Sequence, residues 1–136
     1  MAGEEALQYL NLSKGETREE ALENIDIGGP TMLRSAAKNY EDVAVVTDPA
    51  DYESILEELE EKKGELSAAT RQKLALKVFE KTSKYDSMIM EYLREQQSEE
   101  DGEFPDNFVL NYSKKMDLRY GENPHQKGTF YGRFDD

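Results

Sequence analysis

Residues 43–47 (VAVVT) form a β-branched apolar run between segments whose apolar residues recur with helical spacing. The run is too short for a helix, and its continuous apolar character suits a strand buried on both faces. Because strands that alternate with helices are typical of α/β proteins, the pattern predicts an α/β, helix-rich fold. A single strand cannot form a stable sheet, so we expect the chain to hold only part of such a fold.

Capping residues and apolar spacing predict two short helices before this run. Thr17 and Glu20 have the spacing of a capping box, in which each side chain accepts a hydrogen bond from the backbone N–H of the other residue. The first helix is expected to end at the glycine pair 28–29. The second is expected to begin with Pro30, whose missing N–H costs nothing at that position, and to end near Asn39.

Two further helices are predicted after the run. Asp48 and Pro49 are suited to begin the first of them, and Gly64 is suited to end it. Ser67 is expected to cap a long helix that extends to about residue 97. The predicted apolar face of the long helix consists of Leu74, Val78, Tyr85, Ile89 and Leu93.

The charge balance excludes several kinds of partner. The chain has 17 Lys and Arg residues against 30 Asp and Glu residues, a net charge of −13. Phosphate backbones and anionic lipid surfaces should repel such a chain, so no nucleic acid and no membrane are expected as partners. The chain also has neither a long apolar run nor the features of a signal peptide, and the expected location is cytoplasmic.

Cysteine and histidine usage excludes several kinds of site. The sequence has no cysteine, which rules out disulfides, thiolate metal sites and a thiol nucleophile. His125 is the only histidine, so no His-rich metal cluster can form. We therefore predict no metal site.

The composition changes after the long helix. Residues 96–107 are charged, contain glycine and proline and lack periodicity, which is typical of a linker or an exposed loop. Residues 108–111, 118–120 and 129–131 are predicted to be extended. So short a segment cannot bury its own core, and we interpret it as the beginning of a second domain.

Asp26 and the residues after it form the first candidate site. Gly28 and Gly29 would let the backbone approach a ligand closely, and the helix after them offers unpaired N–H groups at its positive end. Asp26 supplies a carboxylate and Lys38, on the polar side of this helix, an ammonium group, so the two could position a substrate and move protons. The alternative is a Gly-Gly-Pro turn with ordinary surface charges.

Residues 118–126 (LRYGENPHQ) form the second candidate site. Arg119, Tyr120 and His125 would bring a guanidinium fork, a phenol and the imidazole into one rigid turn. This combination suits bidentate phosphate binding and stacking on a base-like ring. The alternative is a polar turn with a solvated histidine.

Residues 23–39 (ENIDIGGPTMLRSAAKN) closely resemble the bifunctional purine-biosynthesis family of AICAR formyltransferase/IMP cyclohydrolase. The resemblance continues through residues 43–52, 71–92 and 118–126, in the order and spacing of the family. It covers most of the chain from about Glu20 onward.

The resemblance implies a domain layout and two activities. The first domain of that family has a methylglyoxal-synthase-like α/β fold with a Rossmann-type parallel sheet, binds no cofactor, and closes formyl-AICAR to IMP with loss of water. The second domain transfers a formyl group from 10-formyltetrahydrofolate to AICAR, and the full-length enzymes are homodimers. On this basis, residues 1–98 would be the C-terminal half of the cyclohydrolase domain, residues 99–107 a linker, and residues 108–136 the start of the formyltransferase domain.

The resemblance also implies roles for individual residues. Asp26 matches the carboxylate that works on the ring-closing carboxamide, and Lys38 matches its paired lysine. The residues that match substrate-binding positions are Ile27, Gly28, Gly29, Arg119, Tyr120 and His125.

The chain departs from the family pattern at both ends. The phosphate-binding Ser/Lys loop, an Arg-Lys-Thr stretch and an Asn-Leu-Tyr-Pro-Phe strand end precede Asp26 in the family and do not occur in residues 1–24. The chain also stops at Asp136, before the folate site of the transferase. We therefore expect incomplete sites and no activity of the chain alone. The alternatives are a non-catalytic subunit that completes its fold with a partner chain, and an acidic helical module without a ligand.

Overall fold

The computed structural model describes residues 17–95, 107, 109–123 and 125–132. They form four α-helices, a 3-10 turn and one two-stranded antiparallel sheet, a mixed α/β composition. The elements, in chain order, are α1 (Arg18–Glu23), α2 (Gly28–Lys38), the 3-10 turn (Pro49–Asp51), α3 (Tyr52–Glu61), α4 (Ala68–Glu95), β1 (Ser113–Leu118) and β2 (Gly128–Gly132). The chain divides into two compact units, with Thr17–Asp86 in one and the described residues from Ser87 onward in the other.

The capping box at the start of α1 is confirmed. The Glu20 N–H donates to the Thr17 hydroxyl at 3.3 Å, and the Thr17 N–H donates to the Glu20 carboxylate at 2.8 Å. The bonds that the Glu20 carboxylate accepts from the Thr17 N–H and, at 3.0 Å, from the Thr17 hydroxyl lower the pKa of Glu20. The predicted end of this helix was wrong, because α1 ends at Glu23 and the glycine pair 28–29 begins α2 instead. Pro30 is the third residue of α2, where its missing N–H still costs nothing because the first four N–H groups of a helix have no intrahelical partner.

The residues predicted to begin and end α3 have these roles in the structure. The Ala50 N–H donates to the Asp48 carboxylate at 3.0 Å, which caps the 3-10 turn that leads into α3. Beyond the helix, Lys63 and Gly64 have φ angles of 56° and 95°. Glycine adopts such angles without strain, so Gly64 ends the helix as predicted.

The long helix α4 begins as predicted, with the Thr70 N–H donating to the Ser67 hydroxyl at 3.2 Å. Its described part ends at Glu95, and the predicted end near residue 97 lies outside the described residues. Of its predicted apolar face, Leu74 and Val78 are buried and the other three residues are half-buried. One core cluster of the Thr17–Asp86 unit consists of Ala37, Ala75 and Val78, with Leu33, Tyr40 and Val45 packed against it.

The predicted buried strand at residues 43–47 was wrong. This segment pairs with no strand among the described residues, and Val43 is 37% exposed. The Val43 N–H donates to the Asn39 carbonyl at 2.9 Å, Val45 packs on the core and the Lys81 ammonium donates to the Thr47 carbonyl at 3.0 Å, so a local turn and side-chain contacts rather than a neighbouring strand hold the segment. β-branched residues favour extended backbone, but a strand needs a neighbour whose backbone groups can pair with its own. The described residues accordingly contain no parallel sheet.

The sheet is a hairpin in which Ser113 pairs with Gly132 and Leu118 with Gly128. The pairing shifts between Lys114 and Met116, so the strand carries a bulge. The extended prediction for residues 129–131 is confirmed by β2, whereas β1 ends at Leu118 and residues 119–120 lie in the connecting loop.

The other predictions for this part of the chain concern residues 108–111, the linker and the burial of apolar side chains. Residues 109–111 are not part of a strand, and residue 108 lies outside the described residues, as does the predicted linker except for Asn107. The large apolar side chains of the hairpin are exposed, in keeping with the prediction that this segment cannot bury its own core. No helix among the described residues has the length and apolar character needed to cross a membrane.

Candidate functional site

Two hydrogen bonds hold Asp26 in the loop between α1 and α2. Its backbone N–H donates to the Tyr85 hydroxyl at 2.8 Å. Its carboxylate accepts a hydrogen bond from the Gly29 N–H at 3.0 Å. The carboxylate therefore lies at the positive end of the α2 dipole, which favours a negative charge, and Asp26 remains exposed to solvent.

The residues that follow Asp26 leave open space around the start of α2. The Ile27 side chain is 71% exposed, and the Ile27 carbonyl accepts hydrogen bonds from the N–H and the hydroxyl of Thr31 at 3.1 and 2.7 Å. A Cβ atom added to Gly28 would meet nothing within 4 Å. A Cβ atom on Gly29 would lie 3.2 Å from the Asp26 Cγ and closer still to one carboxylate oxygen. Glycine at position 29 is therefore what allows the carboxylate to lie against the helix.

Lys38 lies at the other end of α2. It is the last residue of that helix, about 15 Å along a helix axis from Gly28. Lys38 is exposed, and no hydrogen bond or ion pair joins it to Asp26 among the described residues. The structure thus brings Asp26, Gly28 and Gly29 together and leaves Lys38 apart, and the catalytic role of both charged residues stays a prediction.

The second candidate site is the loop of the hairpin. The Gly121 N–H donates to the Gln126 carbonyl at 2.9 Å, and the Asn123 N–H donates to the Gln126 side chain at 3.0 Å. Arg119 and Tyr120 leave β1 and His125 lies in the turn that returns to β2, and all three side chains are exposed. The loop brings the three predicted residues to one end of the hairpin, and their binding roles stay predictions.

Asp117 stabilises the strand that carries this loop. Its carboxylate accepts hydrogen bonds from the Lys114 ammonium at 2.6 Å and from the Thr129 hydroxyl at 3.2 Å. The bond from Lys114, followed by that from Thr129, lowers the pKa of Asp117 below its ordinary value. Asp117 is therefore ionised at neutral pH and ties β1 to β2.

Sequence reasoning missed two residues that organise the candidate sites. Tyr85 was predicted to be core, yet its hydroxyl holds the Asp26 backbone from a position 59 residues away. Gln126 was quoted in the second motif without a role, and it closes the hairpin loop through both its backbone and its side chain. Helical spacing locates Tyr85 on an apolar face but contains no information about the partner of its hydroxyl.

Gly29 and Gly28 provide a matched pair of variants. We expect Gly28→Ala to stabilise the chain by up to about 1 kcal/mol, because alanine loses less backbone entropy than glycine in a helix. Gly29→Ala should give a smaller gain or none, because its methyl group pushes the Asp26 carboxylate off the Gly29 N–H. Thermal unfolding and the ¹³C shift of the Asp26 carboxyl carbon measure the two effects. Equal stability and an equal ¹³C shift in both variants would contradict this assignment.

Comparison with known proteins agrees with the resemblance of the two motifs. The sequence model of the AICARFT/IMPCHase bienzyme family matches residues 36–136. The chain is 59% identical over 113 residues to the bifunctional purine biosynthesis protein PurH of Ruminiclostridium cellulolyticum, covering 83% of this chain and 21% of that protein. It is 60% identical over 112 residues to the PurH protein of Acetivibrio thermocellus and 58% identical over 112 residues to that of Bacillus cytotoxicus, each covering 82% of this chain and 21% of the relative. This chain thus spans about a fifth of the length of these curated relatives. It belongs to the AICARFT/IMPCHase bienzyme family, as its two motifs predicted.

Proposed function

We propose that this chain contributes to the closure of formyl-AICAR to IMP in purine biosynthesis. One observation carries the proposal: in a member of this bienzyme family, one hydrogen bond to the backbone and one to the side chain of Asp26 hold this residue with its carboxylate at the exposed start of α2. Beside it, the open space at Gly28 and the exposed side chain of Ile27 leave room for a planar heterocycle. A fixed carboxylate next to a glycine-lined opening is suited to accept a proton from a bound substrate.

The proposed step forms a bond between the carboxamide nitrogen of the substrate and its formyl carbon. The carboxamide nitrogen loses one proton and the formamide nitrogen loses another, a carbon–nitrogen double bond forms between the formyl carbon and the formamide nitrogen, and the formyl oxygen leaves as water. Asp26 would accept a proton from the carboxamide nitrogen, and Lys38 would donate one toward the departing oxygen. Since these residues lie at opposite ends of α2, Lys38 in this proposal needs a substrate or a conformation that brings its ammonium group to the site.

The hairpin loop is proposed to begin the AICAR site of the formyltransferase, with 10-formyltetrahydrofolate as the co-substrate of the longer enzyme. Arg119 offers a fork of donors for a phosphate group, and Tyr120 offers a ring for stacking. His125 adds an imidazole whose ring nitrogens can exchange hydrogen bonds with a ligand. The exposure of all three side chains supports this proposal, because a ligand could reach each of them.

The larger setting is proposed from the family. The first domain would have the methylglyoxal-synthase-like fold, residues 1–98 would be its C-terminal half, and residues 108–136 would begin the formyltransferase domain. The longer enzymes would act as homodimers on formyl-AICAR, AICAR and IMP. Because this chain spans about a fifth of its relatives, we propose that it does not catalyse ring closure by itself.

Titration with IMP tests whether the site of this chain recognises a purine nucleotide. We expect IMP to shift the backbone amide NMR signals of residues 26–29 and Asp26→Ala to weaken that effect, because the variant removes the carboxylate. In the same preparation, formyl-AICAR should show no ring closure by absorbance.

Two results would contradict the proposal. Amide signals that stay unchanged throughout the IMP titration would argue against a purine site in this chain and favour an acidic helical module without a ligand. Ring closure that disappears in Asp26→Asn would show that the isolated chain is active.

A second candidate function is a non-catalytic subunit that completes its fold with a partner chain. The specific observation in its favour is the β-branched segment 43–47, which pairs with no strand among the described residues. Co-purification of a chain that supplies further strands would favour this candidate, especially if neither IMP nor formyl-AICAR binds without that chain.

A further inference from the structure

We infer that Tyr85 is a positioning residue for Asp26: its hydroxyl holds the Asp26 backbone so that the carboxylate lies against the first turn of α2. The inference deepens the proposed function and rests on it, because the position of the carboxylate matters only if Asp26 works on a substrate. Neither the motifs nor the comparisons assign a role to Tyr85.

The first step of the argument is the geometry at Asp26. The bond from its N–H to the Tyr85 hydroxyl measures 2.8 Å, and the bond from the Gly29 N–H to its carboxylate measures 3.0 Å. Both lengths are ordinary for N–H···O hydrogen bonds. One residue is thus held at its backbone and at its side chain, by two different parts of the chain.

The second step is the lack of a local partner for the Asp26 N–H. Its neighbour Ile25 donates to the Leu22 carbonyl at 3.2 Å, and Thr31 donates to the Ile27 carbonyl at 3.1 Å. These are short-range bonds of helix ends. The Asp26 N–H instead donates to a side chain 59 residues away on α4, and it makes no hydrogen bond to the backbone of the described residues.

The third step is the effect on the carboxylate. The torsion angles on either side of the Asp26 Cα set the direction of its side chain, so fixing the backbone N–H limits where the carboxylate can lie. The Tyr85 ring is half-buried on the apolar face of α4, which holds the hydroxyl in place. The packing of α4 therefore determines the position of a charged group in the loop before α2.

The test compares Tyr85→Phe with Tyr40→Phe in the full chain. Each variant removes one hydroxyl and keeps the ring, and the Tyr40 hydroxyl makes no hydrogen bond within the described part of the chain. In Tyr85→Phe we expect amide hydrogen exchange at Asp26 to rise about tenfold, the upper range for the loss of one hydrogen bond. We also expect the ¹³C signal of the Asp26 carboxyl to move, while that of Asp48, which caps the 3-10 turn, stays in place. Tyr40→Phe should change neither signal.

Faster exchange at Asp26 with an unchanged Asp26 carboxyl signal would overturn the inference, because Tyr85 would then hold only the backbone. Equal effects of the two tyrosine variants would also overturn it. IMP titration separates this inference from the proposed function. If IMP shifts no signal in either the native chain or Tyr85→Phe, the purine site is contradicted, and the carboxyl signal alone decides whether Tyr85 positions Asp26.

Discussion

Replacing Val78 with alanine is expected to lower the free energy of unfolding by about 2 kcal/mol, the sum of two lost methyl groups and the cavity that they leave. Val78 is fully buried on α4 and belongs to the small core with Ala37 and Ala75. The other two residues are alanines, whose side chains are too short to reach into the space that the valine methyl groups leave. In a unit of this size, 2 kcal/mol is a large share of the total stability.

Leu76→Ala provides the control for Val78→Ala. Leu76 lies on the same helix but is 58% exposed, so its truncation removes little buried surface. We expect urea unfolding, monitored by far-ultraviolet circular dichroism, to give a much lower midpoint for Val78→Ala than for Leu76→Ala. Equal losses in the two variants would contradict the assignment of the core to Ala37, Ala75 and Val78.

Glu58 is expected to make the stability of the chain depend on pH. Its carboxylate accepts hydrogen bonds from the Lys62 ammonium at 2.6 Å, from the Ser67 N–H at 2.9 Å and from the Thr70 hydroxyl. The bond from Lys62, followed by those from Thr70 and Ser67, holds the pKa of Glu58 far below its ordinary value. The same carboxylate thereby joins the end of α3 to the cap of α4.

The direction of the pH effect follows from the lowered pKa. A carboxyl group with a lower pKa in the folded chain than in the unfolded chain stabilises the fold above the unfolded pKa, which is about 4.3 for glutamate. That stabilisation is lost as the pH falls through the folded pKa. Glu58→Gln should therefore unfold at a lower urea concentration than the native chain at pH 7, and the difference should shrink when the pH falls below about 4.

Glu57→Gln is the matched control for this experiment. Glu57 is the exposed neighbour of Glu58 on α3, and both variants remove one negative charge from a chain with a net charge of −13. Because Glu57→Gln relieves repulsion without breaking the Glu58 hydrogen bonds, we expect it to leave the stability unchanged or to raise it slightly. A Glu58→Gln deficit that stays constant from pH 7 to about pH 3 would contradict the role of the ionised carboxylate.

The caps and turns of this fold could be predicted from the sequence because both partners lie within a few residues. Thr17 and Glu20, Ser67 and Thr70, and the turn at Gly64 are of this kind. Residues 43–47 were mispredicted because a β-branched run reports the preference of its own backbone and contains no information about whether a neighbouring strand exists. Their actual support comes from α4, through Lys81 and the core.

The candidate site shows the same division between local and distant contacts. Asp26 and Gly29 share one turn of chain, so their proximity follows from the sequence. The hydrogen bond between Asp26 and Tyr85 depends on how α4 packs, and no local pattern predicts it. Lys38 illustrates the converse: it shares a polar stripe with the start of α2, but a position on the same face of a helix does not bring two residues close along its axis.

The bulge between Lys114 and Met116 has a consequence for association. Strand edges are templates on which identical chains can stack into cross-β assemblies, and the hairpin exposes Met116 and Phe130 beside such edges. Stacking needs an uninterrupted ladder of backbone groups, which a bulge breaks and twists. We therefore expect the irregular pairing to hinder the stacking of this hairpin on a second copy.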